Sequence, residues 1–577
     1  MAIYLYKYKF HFPSKTCIIL LFVSTILLFS YLIGSIGHKD SQYGLSPSGE
    51  FAKFAIIQSL YPENLIHSPV YCQMKTSILL SGLALPLCMP HDAQARKQPH
   101  IILIITDQQR GDALGCAGKY AIKTPNLDSL ASDGFFFNNA YSSAPSSTPA
   151  RSGLLTGMSP WHHGLLGYSS RIGEHYRYEM PQMLRDNGYL ALGIGKMHWT
   201  PQNALHGFHA TLVDESGRVE SPNFVSDYRK WFQTVAPGVN PDSTGIDWNG
   251  HAAAAYKLPE QLHPTAWTGT TAVRTIEHFD TASVRPLFLK ISFARPHSPY
   301  DPPQRILSMY DGVEIPPAAH GEWSKDVGSK VTDPAQDPTA PYAQFSDEYV
   351  ENTRRHYYAS VTFIDEQVGD IIKALKEKGM YDDALIVFTS DHGDMMGDHN
   401  SWRKTYPYEG SAAIPMIVKV PESTGAVHAK GSVMEQPVEL RDILPTFLDA
   451  AGAEVPADMD GRSMLALITQ KNPQWRRWID LEHATCYSDN NYWCGLTDGR
   501  MKYIWFLRSG QEQLFDLTAD PEETTNLIGN KKYAAKASEM RRALADHLSE
   551  RGDEWVRDGK LQTRSTTLLY SPNFPKN

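Results

Sequence analysis

The segment His100-Ile101-Ile102-Leu103-Ile104-Ile105 is an unbroken apolar run, and Thr106-Asp107-Gln108 follows it at once. A short run rich in β-branched residues, with no polar alternation, is typical of a parallel strand buried on both faces. Ligands of open α/β sheets bind at the carboxyl ends of the strands. We therefore predict a central strand here, with Asp107 and Gln108 at the edge where a site forms. An Asp that merely ends the strand in a turn is the alternative.

Further apolar runs of the same kind occur at residues 190–195, 287–293 and 384–390, and another at 415–420. Helical patterns lie between them, and the longest covers residues 347–378. Buried strands that alternate with helices predict an α/β domain, with a mostly parallel central sheet and helices on both faces.

The stretch Ser147-Thr148-Pro149-Ala150-Arg151 leads into an apolar run that ends at Gly157. Proline and small residues suit a helix start, whereas the residue before a proline is disfavoured in helical geometry. We expect a helix whose positive end faces Ser147 and suits an anion, with Thr148 outside the helix. An ordinary serine helix cap is the alternative.

Charged and metal-ligating side chains follow the other predicted strands as well. These residues are Lys196 and His198 after the second run, His297 after the third, and Asp391 and His392 after the fourth, with Lys404 further on. The carboxylate and amide oxygens of Asp107 and Gln108 suit a hard divalent cation such as Ca²⁺, and Asp391 with His392 offers a further oxygen and a nitrogen ligand. Taken singly, a solvated lysine, a capping or surface histidine, or a simple Asp–His hydrogen bond would explain each of them.

Together these features resemble the formylglycine-dependent sulfatases of the alkaline-phosphatase-like superfamily. The resemblance spans residues 98–527 and includes a late match at residues 514–527. It rests on Thr106-Asp107-Gln108, Ser147-x-Pro149-x-Arg151, Gly195-Lys196-x-His198, Pro296-His297, Asp391-His392-Gly393 and Lys404. It implies an alkaline-phosphatase-like sandwich around the mostly parallel sheet.

The resemblance also implies roles for single residues. Asp107, Gln108, Asp391 and His392 would bind one divalent metal, Ca²⁺, together with a formylglycine made from Ser147 by a Ser-type maturation enzyme. Arg151 would hold the formylglycine, while Lys196, His198, His297 and Lys404 would bind sulfate and move protons. Many members have Asp where Gln108 stands and Asn where His392 stands. Both residues present here are still able to coordinate a metal.

The expected activity is hydrolysis of sulfate monoesters on a carbohydrate such as a glycosaminoglycan, a mucin or an algal glycan. A phosphonate or phosphate ester hydrolase of the same superfamily is the nearest alternative. A non-catalytic sugar-binding relative is another, if Ser147 is never oxidised. The formal net charge of −9 over 577 residues argues against a nucleic-acid partner.

The N-terminus carries two export-like segments. Residues 17–36 are long enough to span a bilayer, whereas residues 74–95 have the basic start, short apolar core and Ala-x-Ala end of a secretory signal. We predict that residues 1–73 are an over-extended reading frame, with a membrane anchor as the alternative. The mature chain would begin near Arg96, without a stable membrane span, and be periplasmic, at the cell surface or secreted in a bacterium.

Two domains are expected in the mature chain. Residues 98–470 would form the catalytic domain, with residues 200–280 as an irregular rim over the site. Residues 471–577 would form a smaller α+β subdomain with a short antiparallel sheet, in which Asp498-Gly499-Arg500 makes a hairpin turn. Among six cysteines, Cys486 and Cys494 are close enough in sequence for a disulfide, and a pair of buried thiols is the alternative.

Overall fold

The structure is a computed structural model that describes residues 98–218, 222–283, 285–325 and 331–575. The two N-terminal segments predicted above, 1–73 and 74–95, lie outside these residues. The described strands are β1 (His100–Asp107), β2 (Phe135–Phe137), β3 (Ala140–Tyr141), β4 (Leu190–Gly195), β5 (Ala210–Val213), β6 (Leu287–Pro296), β7 (Ala384–Ser390), β8 (Met416–Lys419), β9 (Ser432–Met434), β10 (Val438–Glu439), β11 (Ile479–His483), β12 (Trp493–Thr497), β13 (Met501–Phe506), β14 (Glu512–Asp516), β15 (Val556–Arg557) and β16 (Lys560–Leu561).

The described α-helices alternate with strands along the chain. They are α1 (Pro125–Asp133), α2 (Ser147–Thr156), α3 (Pro160–His163), α4 (Met180–Asp186), α5 (Asp227–Val235), α6 (Pro264–His278), α7 (Gln304–Leu307), α8 (Asp347–Glu377), α9 (Glu409–Ala412), α10 (Ile443–Ala450), α11 (Leu465–Thr469) and α12 (Ala534–Leu548).

Eight strands form the central sheet in the order β5-β4-β6-β1-β7-β8-β2-β9. The neighbours from β5 to β7 are all parallel, and β8 runs antiparallel to both β7 and β2. The predicted mostly parallel sheet is therefore confirmed, with β1 near its middle. Because β4, β6, β1 and β7 are parallel neighbours, their carboxyl ends share one edge.

Side chains of β1 alternate between two apolar layers. Ile101, Leu103 and Ile105 pack with α2 and α10 on one face of the sheet, whereas Ile102 and Ile104 pack with α6 and α8 on the other. All five are fully buried, which accounts for the continuous apolar run in the sequence. Helices thus cover both faces, as the sequence predicted.

The C-terminal part contains a separate antiparallel sheet, in the order β11-β12-β13-β14. Residues 498–500 connect β12 and β13 as the predicted hairpin turn, and Met540 and Leu544 of α12 pack on this sheet. Among the described cysteines, Cys486 and Cys494 are free thiols rather than a disulfide. In the described part of the chain, no helix is both long and apolar enough to cross a membrane.

Three local predictions were wrong. Thr148 lies inside α2, although the residue before a proline disfavours helical geometry. Pro149 is in the first helical turn, where its missing N–H costs no hydrogen bond, and burial of the whole helix outweighs the preference of Thr148. The supposedly irregular rim contains α6, a helix of 15 residues whose many buried threonines and small residues hid its periodicity. The apolar pattern of residues 438–451 predicts one continuous helix, but the helix begins only at Ile443, after a short strand and one tight turn.

Gly195 ends β4 with a φ of 87°, in the left-handed region, and a Cβ there would collide with the carbonyl oxygen of Ser292 on β6. Gly118 has a φ of 69° and open space around it. Gly195→Ala should therefore lower the apparent melting temperature strongly, because overpacking adds about 1–3 kcal/mol to the backbone strain. Gly118→Ala pays only that strain, about 1–2 kcal/mol.

Thermal unfolding of both variants beside the wild type measures the difference. Equal shifts for the two substitutions would show that the close approach of β4 and β6 at Gly195 has no energetic weight.

Candidate active site

The residues predicted from strand ends meet at the shared carboxyl edge of the central sheet. Asp107 ends β1, Asp391 follows β7, Lys196 follows β4 and His297 follows β6. All ten predicted site residues are buried, and they lie in one cluster there: Asp107, Gln108, Ser147, Arg151, Lys196, His198, His297, Asp391, His392 and Lys404.

Ser147 is the first residue of α2, so its hydroxyl lies at the positive end of a ten-residue helix. Its Oγ is 3.0 Å from Nε2 of His392 and 3.5 Å from Oδ2 of Asp107. The helix therefore delivers one small oxygen into the group of metal-ligating side chains.

Arg151 lies one turn further along α2 and joins the two strand-end carboxylates. Its Nε donates to Oδ2 of Asp391 over 2.9 Å, and its Nη2 donates to Oδ2 of Asp107 over 3.1 Å. Its Nη1 donates to the carbonyl oxygen of Lys196 at 2.9 Å. Arg151 thus links the end of β1, the residue after β7 and the loop after β4.

Asp107, Asp391 and His392 each offer one ligand atom, and these atoms lie within 4.8 Å of one another. Oδ1 of Asp107 is buried and has no hydrogen-bond partner among the described residues. Nδ1 of His392 lies 2.9 Å from the carbonyl oxygen of Gly393, so Nδ1 carries the proton and Nε2 keeps its lone pair. These donors fit a divalent cation.

Gln108, the fourth predicted protein ligand besides Ser147, has both ends of its amide fixed. Its backbone N–H donates to Oδ1 of Asp391 at 3.0 Å. Its Nε2 donates to Oδ2 of Asp394, and its Oε1 accepts from Nζ of Lys404 at 2.7 Å. Since an ionised carboxylate only accepts, Asp394 forces the amide oxygen to face Lys404. Tyr300 in turn donates to Asp394 at 2.8 Å.

Two lysines and two histidines complete the cluster. Nζ of Lys196 is 2.8 Å from Oδ2 of Asp107. Burial raises the pKa of Asp107, but the charges of Lys196 and Arg151 outweigh burial and hold that pKa well below its usual range. Burial, with Arg403 and Lys196 close by, lowers the pKa of Lys404 to about 8.

The two histidines are neutral in the free site. Burial, with Lys404 and Lys196 nearby, holds the pKa of His297 well below its usual value. Burial, with Arg218 and Lys196 nearby, does the same for the pKa of His198. Neither ring nitrogen of His198 has a hydrogen-bond partner among the described residues, and the ring lies edge-on to that of Tyr168.

Above the cluster is a cavity of about 200 Å³, which Ser147, Lys196, His198, His297 and Lys404 line. Its walls add residues that the sequence did not single out: Tyr168, Glu215, Arg218, Trp248, Asn249, Arg403 and Tyr487. Each comes from a loop without periodicity, so no pattern marked it.

Glu215 is the one wall residue that a strand-end argument could have found, because it lies two positions after β5. Its Oε1 accepts the backbone N–H groups of Met197 and His198, at 3.0 and 2.9 Å. It therefore shapes the loop that carries Lys196. The four-residue β5 was not recognised in the sequence, which is why Glu215 was missed.

Cations, a carboxylate and imidazole cluster that fits a metal ion, and one hydroxyl on a helix end lie together at the edge of a parallel sheet. These are features of a hydrolase for anionic esters. The Sulfatase family model matches residues 99–453, and the model described as N-sulphoglucosamine sulphohydrolase, C-terminal, matches residues 397–550. The chain belongs to the sulfatase family, as its sequence motifs predicted.

Named relatives agree with this assignment. An arylsulfatase of Clostridium perfringens is 36% identical over 476 residues, which cover 80% of this chain and 97% of the relative. An N-acetylglucosamine-6-O-sulfatase of Bacteroides thetaiotaomicron is 26% identical and covers 81% of this chain and 89% of the relative. The phosphonate monoester hydrolase of Agrobacterium radiobacter superposes with a TM-score of 0.65 at 24% identity, covering 81% of this chain and all 100% of that one, and thus shares the fold.

Asp394→Asn should weaken divalent-cation binding by about 10–100-fold, the usual effect of removing an outer hydrogen-bond partner of a ligand. The new amide is able to donate to Oε1 of Gln108, so the glutamine would no longer present its oxygen to Lys404 and the metal-ligating cluster. Calorimetric titration of metal-free protein with Ca²⁺ measures the change.

Tyr300→Phe is the matched control, because it removes one donor from Asp394 and leaves the carboxylate in place. Its Ca²⁺ affinity should change less than that of Asp394→Asn. Unchanged affinity in Asp394→Asn would mean that the orientation of the Gln108 amide has no part in metal binding.

Proposed function

We propose that this sulfatase hydrolyses sulfate monoesters of carbohydrates, using Ca²⁺ and a formylglycine made from Ser147. One observation carries the proposal: the Ser147 hydroxyl lies between His392 and Asp107, at the positive end of α2. The relative named N-acetylglucosamine-6-O-sulfatase supports a sugar substrate. Asp107, Gln108, Asp391 and His392 would hold the metal.

When present, the cation supplies Lewis acidity and the aldehyde at position 147 supplies a hydrated nucleophile. The chain's own residues do the rest. Lys196 and Lys404 neutralise the sulfate oxygens, and preorganised cations of this kind contribute most when water is excluded. Arg151 keeps the two metal-binding carboxylates in place, because it already bridges them.

Lys404 is the proton donor that the electrostatics favour. It keeps its proton below a pKa of about 8, whereas His297 is neutral at neutral pH because its pKa is held low. Nδ1 of His297 lies 2.9 Å from the carbonyl oxygen of Ser298, which leaves its Nε2 as an acceptor. His297 and His198 are therefore suited to take protons, and Lys404 is suited to give one to the leaving oxygen.

The rate constant kcat/KM for an aryl sulfate should therefore fall as the pH rises through about 8, because Lys404 then loses its proton. Lys404→Arg keeps the positive charge at all working pH values, so it should lower the rate and remove this alkaline decline. A pH profile of both enzymes measures it. An alkaline decline that survives in Lys404→Arg would assign it to another group.

Peptide mass spectrometry of the natural protein should show the Ser147 peptide lighter by a pair of hydrogens, as oxidation to the aldehyde requires. Ser147→Ala should have no sulfatase activity. Full activity with an unmodified Ser147 would contradict the mechanism. The same spectra test our proposal that residues 74–95 are a removed export signal and that the mature chain begins near Arg96, outside the cytoplasm and without residues 1–73.

Matched aryl sulfate and aryl phosphonate esters test the substrate class. We expect the sulfate to be hydrolysed with the higher kcat/KM. A preference for the phosphonate would overturn the proposal in favour of the alternative hydrolase, and inactivity toward both in a protein whose Ser147 is oxidised would favour a sugar-binding role. A panel of defined sulfated saccharides then identifies the sugar and the sulfated position.

A further inference from the structure

Seven arginines are buried in the described part of the chain, and six of them have a carboxylate within salt-bridge distance. The paired ones are Arg110, Arg151, Arg295, Arg354, Arg441 and Arg551. Arg403 is 6% exposed, and no described carboxylate forms an ion pair with it. Since buried charges in proteins are normally paired, Arg403 departs from the pattern of the other six buried arginines.

The guanidinium of Arg403 is held by neutral groups only. Its Nη1 donates to Oδ1 of Asn249 at 3.0 Å, and its Nη2 donates to the backbone oxygen of the same residue. Its Nε has no hydrogen-bond partner among the described residues. Asn249 comes from the rim segment rather than from a strand end, and this contact fixes the direction of the side chain without neutralising it.

Arg403 lines the same cavity as Ser147, Lys196 and Lys404. The two lysines hydrogen-bond or pair with Gln108 and Asp107 on the floor, whereas Arg403 contacts the rim at Asn249 beside Trp248, which is 37% exposed. The cavity therefore offers positive charge at two levels: Lys196 and Lys404 below, and Arg403 above them.

We propose that Arg403 forms an anion subsite for a second acidic group, a carboxylate or another sulfate, carried by the same sulfate ester whose reacting group lies over Ser147. This proposal rests on the proposed function, because the proposed function is what places the reacting sulfate at Lys196 and Lys404. The planar guanidinium fork matches both carboxylate and sulfate oxygens, and each Nη nitrogen keeps a second N–H beyond the one that it donates to Asn249. The preferred substrates are thus sulfate esters with a second negative charge near the ester.

The kinetic test compares phenyl sulfate with the three carboxyphenyl sulfates and the three benzenediol disulfates. Wild-type enzyme should prefer at least one dianionic ester to phenyl sulfate. Arg403→Gln should lower kcat/KM for that ester about 10–100-fold, mainly through KM, because it removes a buried charged partner. The same variant should change the value for phenyl sulfate less than about threefold.

Arg403→Lys is the rescue variant, since it keeps the charge but loses the fork, and it should recover part of the preference. The carboxylate and disulfate arms identify which acidic group the subsite takes. Equal losses for phenyl sulfate and the dianionic esters in Arg403→Gln would place Arg403 on the reacting sulfate and overturn the subsite. No wild-type preference for any dianionic ester would overturn it too.

A binding measurement separates this proposal from the proposed function. Ser147→Ala protein loaded with Ca²⁺ should bind the preferred dianionic ester more tightly than phenyl sulfate, and adding Arg403→Gln should remove the difference in calorimetry. If matured wild-type protein hydrolyses neither phenyl sulfate nor any of the dianionic esters, the proposed function fails, while this titration, run with each ester in turn, still decides whether the subsite exists. Equal affinities for the two esters in Ser147→Ala would reject it.

Discussion

Two buried carboxylates at the ends of neighbouring strands are the constraint on which the site depends. Asp107 and Asp391 would repel each other, and Arg151 makes their proximity stable by donating to both. Lys196 pairs with the same oxygen of Asp107 as Arg151 does. Oδ1 of Asp107 is left without a hydrogen-bond partner among the described residues. Arg151 and Lys196 thus balance the charges of the two carboxylates, and the remaining oxygen of Asp107 is suited to bind a metal ion.

Gln108 and His392 fit this balance. Each replaces a residue that is often acidic or an amide in the resembling family, and neither adds a negative charge here. The neutral amide of Gln108 could face either way, and Asp394 fixes its direction by accepting a hydrogen bond from its Nε2. The Asp394 carboxylate is itself held by Tyr300 and by the backbone N–H groups of Met396 and Arg403.

Much of the fold and most of the cluster could be predicted from the sequence. Buried parallel strands are visible as apolar runs, and the residue that follows such a run lies at the functional edge, which identified Asp107, Lys196, His297 and Asp391. The walls of the cavity could not be predicted in this way. Arg403 and Asn249 meet only through the tertiary fold, 154 positions apart, and no local periodicity records such a contact.

The separation between floor and walls has an evolutionary consequence. The reacting atoms are anchored by strand ends and by α2, whereas the walls come from loops that contribute one or two side chains each. Loop substitutions tolerate change better than the packed elements beneath them. Substitution of Trp248, Asn249 or Tyr487 can therefore change which leaving group fits the cavity, while the residues at the strand ends keep their positions. This architecture permits substrate diversification at little cost to folding.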